Sequence, residues 1–232
     1  MVRYFLDEAA RGQPSGPVVD AVGNLDLTHD WTPLVAYDEV DGHRGLRWTS
    51  VGAMGGPSAD VAGTAVASAM NGAATATLEV VAQIEGLAAD APRSQLFGLT
   101  RMVMGPPELG IFGFDATTLR LGYGEMAAGS WPVPAGRAVL HWVVDSNEAS
   151  ATERRRLYVD GVLTASSDAI GPDAASTIGG FMGVSLVIGN RTPSGQSLQG
   201  VVFYAALYDR ALSEVEVAHN AVLLAADDDS PR

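Results

Sequence analysis

The sequence has no cysteine, and all 14 of its basic residues are arginine, with no lysine at all. The absence of cysteine excludes disulfide staples, thiolate nucleophiles and Cys-ligated zinc. Positive charge is scarce: 27 acids against 14 bases leave a net charge of −13. A surface of that sign repels phosphate backbones and anionic lipid, which argues against nucleic acid and against membrane surfaces as partners. Aromatic residues make up only 7% of the chain, so much of its apolar content is Ala and Val, which pack sheets but offer little stacking surface. No apolar run reaches membrane-spanning length, so no membrane insertion is expected. The opening residues Met1 to Glu8 lack a basic region followed by an apolar stretch, so no secretion signal is expected there.

What remains is a chain of 232 residues, 47% hydrophobic and 18% charged. That is globular composition with enough length to bury a core without covalent help. Helical periodicity is rare, and short β-rich runs punctuated by Gly, Pro, Asn and Asp recur throughout. Thr75 to Ile84 reads as a strand with Leu78, Val80, Ala82 and Ile84 on one face, and Ala138 to Asp145 as another with Leu140, Trp142 and Val144 together. Gln95 to Met104, Gly110 to Phe114, Thr118 to Tyr123, Leu186 to Ile188 and Gly200 to Tyr208 add further strands. Asp160-Gly161 between Arg155–Val159 and Val162–Thr164 is a hairpin signal, since a type I′ turn needs positive φ at both central residues. Val51 to Ala74 reads as a long connection with at most one short strand. One helix is expected near the end: Ser213 and Glu216 form a capping box, Leu212 and Val217 occupy the staple positions, and Val217, Ala218, Ala221, Val222 and Leu224 supply a buried stripe. Residues 1–226 are therefore expected to form a single all-β domain, a sandwich or barrel, with one short C-terminal helix. Residues 227–232, rich in Asp, are expected to be a solvated, disordered tail.

Four stretches carry a family resemblance: His141-Trp142-Val143-Val144, Arg156-Leu157-Tyr158-Val159-Asp160-Gly161, Leu186-Val187-Ile188-Gly189-Asn190, and Gln199 through Ser213. In order and spacing they resemble the bacterial laminin G-like, concanavalin A-like domains, which include relatives of the pentraxins. The resemblance covers residues 75–224 well and the N-terminal quarter loosely. It implies an all-β, antiparallel jelly-roll β-sandwich, with two sheets packed face to face, first and last strands near each other, and rim loops where family members bind sugars, calcium or other proteins. It also implies an extracellular or cell-surface setting. Fold alone does not assign function, because the same scaffold also hosts glycosidases.

Glycoside hydrolysis needs two suitably separated carboxylates. Glucanases of this fold place theirs on one strand as Glu-x-Asp-x-x-Glu. No such run occurs: Asp38-Glu39-Val40-Asp41 has the wrong spacing, and Glu79 stands alone in its strand. A non-catalytic module is therefore expected. Pentraxin-type calcium is not supported, because the corresponding stretch Asn190 to Gln196 has no acid and carries Arg191 instead. A different calcium site remains open at Asp7, Asp20, Asp26, Asp30 or the Asp145-Ser146-Asn147-Glu148 loop, so no cofactor is assigned. His141 is expected to have a hydrogen-bonded structural role, and Arg154, Arg155 and Arg156 to pair with nearby Glu148 or Glu153. The candidate ligand-binding residues are Trp31 and Trp131, each beside a proline in turn-like chain, with Asp145, Asn147, Asn190 and Arg191 on loops. The expected ligand is a glycan met by the rim loops. The competing expectation is a protein-interaction or assembly domain of a surface or tail-fibre-like complex. The oligomeric state is left open.

Overall fold

The computed structural model describes residues 1–7, 16–30, 32–89, 94–101, 109–113, 115–123, 126–166, 178, 183–190 and 195–229. In chain order the strands are β1 (Val2–Phe5), β2 (Thr28–Asp30), β3 (Val35–Val40), β4 (His43–Trp48), β5 (Gly56–Asp60), β6 (Thr75–Gly86), β7 (Gln95–Arg101), β8 (Leu109–Gly113), β9 (Thr118–Tyr123), β10 (Met126–Pro132), β11 (Arg137–Asp145), β12 (Arg155–Val159), β13 (Val162–Ser166), β14 (Val184–Ile188) and β15 (Gln199–Tyr208). Helix α1 (Ala65–Met70) lies between β5 and β6, and α2 (Glu214–Ala226) follows β15.

Two antiparallel sheets form a sandwich. The large sheet runs β13-β12-β11-β6-β15-β4-β3, and the small one β10-β9-β8-β7-β14-β5-β2. β15 pairs along one edge with β6, while its other edge takes β4 at Gly200 to Val202 and β1 at Tyr204 to Leu207. The first and last strands are thus neighbours, as the family resemblance implies. Alternation decides the core. Leu78, Val80, Ala82, Leu140, Trp142, Val144, Val202, Ala205 and Leu207 of the large sheet meet Phe97, Leu99, Ile111, Leu121 and Leu186 of the small one. Trp48 belongs to the same core, its indole N–H donating to the Gly55 carbonyl at 3.2 Å.

The Asp160-Gly161 hairpin forms as expected, with φ of 50° and 78°, and Asp41-Gly42 repeats the same device between β3 and β4 with 54° and 86°. The segment from Val51 to Ala74 is more ordered than its weak pattern suggests. It holds β5 and α1, whose N-cap Thr64 accepts from the Ala67 amide and whose Val66 and Met70 are buried.

The capping box of α2 is present, with Ser213 accepting from the Glu216 amide. Arg210 and the Ser213 cap hold the Glu216 carboxyl down at about 2. Of the expected stripe, Val217, Ala221 and Leu224 are buried, whereas Ala218 and Val222 face outward. α2 covers the outer face of the large sheet, where Val139, Val143, Val201 and Phe203 form a second apolar cluster with it.

Asp228, expected in a solvated tail, is buried instead, whereas Asp227 is exposed. Arg137 on β11 donates to the Leu224 carbonyl at 2.6 Å and the Ala225 carbonyl at 3.2 Å, and to Asp228 Oδ2 at 2.6 and 3.0 Å. His43 Nδ1 lies 2.8 Å from Asp228 Oδ1. The last turn of α2 contains no basic residue, so a cation from the sheet satisfies its terminal carbonyls and buries Asp228 against itself. Residues 230–232 lie outside the described residues.

Candidate functional site

The outer face of the large sheet carries a polar row in its middle. Arg3 on β1 is opposite Ala206 on β15, Ala206 is opposite Glu79 on β6, Glu79 is opposite His141 on β11, and His141 is opposite Tyr158 on β12. This row is the other side of the alternation that sends Leu78 and Val80 into the core. Glu79 is 1% exposed and His141 is fully buried.

The Glu79 carboxylate is saturated. Tyr204 and Tyr208 donate their hydroxyls to Oε1 at 2.9 and 2.8 Å. His141 Nε2 and the Asn220 amide approach Oε2 at 2.8 and 2.7 Å. Because Glu79 can only accept, its partner His141 Nε2 is the donor. Burial pushes the Glu79 carboxyl up, but the bonds from His141, Asn220 and Tyr208 outweigh it and hold the group below its ordinary value. The phenols respond oppositely: burial first, and then the Glu79 charge, push Tyr204 and Tyr208 up.

A backbone irregularity makes this possible. Val202 is opposite Ala82 and Tyr204 is opposite Val81, so Phe203 is an extra residue in β15. This bulge puts Phe203 and Tyr204 both on the outer face. Without it, alternation would send Tyr204 into the inter-sheet core and its hydroxyl away from Glu79.

Beside the network, under the C-terminal half of α2, lies a cavity of about 330 Å³. Arg3, Glu79, Tyr204 and Tyr208 line it from the sheet, and Asn220, Asp227 and Asp229 from the helix end, with Phe5, Leu223 and Leu224 as apolar walls. Burial, with Asp7, Asp228 and Asp227 nearby, pushes the Asp229 carboxyl up, and Arg44 opposes them.

Among the described residues, those singled out from sequence do not gather into a site. Trp31 and Arg191 lie outside the described residues. Trp131, at the end of β10, is partly buried against the inter-sheet core. Asn190 is corrected to a structural residue: it is buried, its amide nitrogen donates to the Ala53 and Gly55 carbonyls at 3.1 and 2.7 Å, and its oxygen accepts from the Gln196 amide at 2.8 Å. Asp145 and Asn147 share one turn, with Asp145 accepting the Asn147 backbone N–H at 3.0 Å. That turn closes the far end of β11. β11 is about 27 Å long at about 3.4 Å per residue, and Trp131 precedes its other end by six residues. Trp48 and Trp142 are core residues, and His141 is hydrogen-bonded, as expected.

Of the carboxylates considered for calcium, Asp20 is buried and accepts four backbone N–H bonds, from Arg3, Val22, Asn24 and Leu25, while Asp26 accepts from the Asp20 amide. Among the described residues no three His, Asp or Glu side chains are grouped to hold a metal. Arg154 donates to the Glu148 backbone carbonyl at 2.6 Å, using the main chain where a carboxylate was expected.

Sequence reasoning weighed Glu79 only as a lone carboxylate and did not see the network around it. Its signal was present, since a charged residue at an alternating position inside an apolar strand needs partners. What could not be seen was that Tyr204, Tyr208 and Asn220, at least 125 residues away, would supply them.

No family model matches this chain, and no curated protein matches it. Solved structures do. A sialidase of Trypanosoma rangeli, in complex with 2,3-difluorosialic acid as a covalent intermediate, is 19% identical with a TM-score of 0.64 over 98% of this chain and 34% of that one. The chain thus spans about a third of the length of the sialidase. Domain 4 of AbnA, an extracellular arabinanase of Geobacillus stearothermophilus in complex with arabinotriose, is 16% identical with a TM-score of 0.61 over 95% of this chain and 97% of that domain. The binding domain of botulinum neurotoxin DC, in complex with rat synaptotagmin II, is 9% identical with a TM-score of 0.63 over 96% and 51% of the two chains. At these identities the likeness establishes one thing: the chain has the antiparallel β-sandwich fold that these proteins share.

Proposed function

We propose that this chain is a non-catalytic carbohydrate-binding module of the laminin G-like, concanavalin A-like kind. The observation that carries the non-catalytic half is the state of Glu79. A catalytic acid must hold a proton to give, and a nucleophile or base must have a free lone pair facing substrate. Glu79, whose carboxyl is held below its ordinary value, already accepts four hydrogen bonds. The carbohydrate half is supported by the arabinanase domain, which matches this chain over nearly the whole of both and was crystallised with a sugar.

A protein-binding reading has its own support. Val215 and Val222, one heptad apart on α2, are exposed on one helical face, and Val162 is exposed beside them on the β12–β13 hairpin, whose Gly161 packs on Ala218 and Ala221. The neurotoxin domain, crystallised with a synaptotagmin, points the same way. A glycan array probed with and without calcium tests the first reading, with light scattering alongside. Calcium-independent binding to a defined glycan set is expected. Absence of glycan binding, or turnover of a glycoside, would replace it.

A further inference from the structure

We infer that the carbohydrate enters the cavity between the C-terminal half of α2 and the outer face of the large sheet, as a terminal ring of one or two sugars. This rests on the carbohydrate reading above and assigns its site.

The first support is size. At about 330 Å³ the cavity lies at the low end of the roughly 300–1,000 Å³ typical of small-ligand pockets. It has room for one or two sugar rings and is open to solvent, where the rest of a longer chain would lie.

The second is chemistry. A sugar ring presents hydroxyls that both donate and accept, around apolar C–H faces. The lining offers the complementary set: the Arg3 guanidinium donates, Asp227 and Asp229 accept, the Asn220 side chain can do both, and Phe5, Leu223 and Leu224 are apolar. A small anion would meet three carboxylates against one guanidinium. A purely apolar ligand would strip water from these groups without replacing its bonds. Glu79 takes no direct part, because its oxygens are occupied. It fixes Asn220, Tyr204 and Tyr208 in place.

The third is preorganisation. The Arg137 clamp on Leu224, Ala225 and Asp228 holds the helical wall, and the Glu79 network holds the floor. A site with both walls fixed spends less binding free energy on ordering. The rim candidates among the described residues have no such convergence, since Trp131 and the Asp145–Asn147 turn lie at opposite ends of the sandwich.

The test is a plug. Leu223 is 53% exposed at the cavity wall and takes no part in the Glu79 hydrogen bonds, so Leu223→Trp fills the space and leaves the network intact. Binding of arabinose, galactose, glucose and arabinotriose is measured by saturation-transfer NMR and calorimetry on the whole chain. Leu223→Trp should weaken the sugar bound by wild type by at least about tenfold, a loss of roughly 1.4 kcal/mol. Trp131→Phe and Asn147→Ala should leave it unchanged. If Leu223→Trp lowers the melting temperature, Arg3→Gln replaces it and should give the same loss. Binding that survives the plug but fails in a rim variant overturns the inference and leaves the carbohydrate reading standing. Failure of wild type to bind any sugar of the panel overturns both.

Discussion

Glu79 is the position whose replacement says most about how this sheet face is built. Glu79→Leu keeps the volume roughly constant but leaves His141 Nε2, two phenol hydroxyls and the Asn220 amide without their acceptor. Each donor left unsatisfied in the interior costs about 1–3 kcal/mol. Asn220 is partly exposed and can turn to water, so the buried His141, Tyr204 and Tyr208 bear most of the loss. Relief of the carboxylate's own desolvation offsets part of it, giving a net destabilisation of about 3–5 kcal/mol. Glu79→Gln should be far milder. Its carbonyl can accept from His141 and Asn220, and its NH₂ can donate to the two hydroxyls once they rotate. What goes is charge assistance, about 1–2 kcal/mol in total. The pH dependence has a definite sign. The Glu79 carboxyl is held below its ordinary 4.5, so its stabilisation is complete above that value and is lost as pH falls through the folded-state value. The gap between wild type and Glu79→Gln should therefore be widest at pH 7 and close in acid. Urea titrations at several pH values, read by the buried Trp48 and Trp142, measure all three quantities. Equal destabilisation by Gln and Leu would refute the account of a charged acceptor saturated by four donors. So would a gap independent of pH.

Three further outcomes follow from other contacts. Arg137→Leu leaves Asp228 buried without its guanidinium partner and the α2 terminal carbonyls without donors. A loss of about 3–5 kcal/mol and faster hydrogen exchange in the last two turns of α2 are expected, and protection equal to wild type would contradict the clamp. Gly189→Ala places a Cβ against the Trp48 ring at φ +69°, where space and backbone both object. It should cost more than about 3 kcal/mol and change tryptophan fluorescence, whereas Gly136→Ala, with open space around it at φ +74°, should cost only about 1 kcal/mol. Calcium at millimolar concentration, or its removal by chelator, should leave the melting temperature unchanged, and a calcium-dependent rise would point to a metal site outside the groups described.

The limits of sequence reading are physical. Asp160-Gly161 was legible because its turn type is a local steric requirement. Asp41-Gly42 carried the same signal but was hidden in a polar stretch scanned for catalytic spacing. α1 and β5 were not legible because a Gly/Ala-rich segment has little amphipathic contrast. Asp228 read as solvated tail because nothing within a turn of it is basic, and its partner Arg137 lies 91 residues away.

What the sequence determined alone was the local layer: period-two alternation, turn chemistry and the α2 capping box depend on residues a few positions apart, and together they specify an all-β sandwich or barrel followed by one helix. Tertiary structure decided where polar groups meet. The bulge at Phe203, which no local pattern announces, turns Tyr204 to the outer face. Four strands and a helix then bring Arg3, Glu79, His141, Tyr204, Tyr208 and Asn220 together. Such a constellation is set by long-range register, and a shift of one residue in any strand would turn that strand's polar residues into the core.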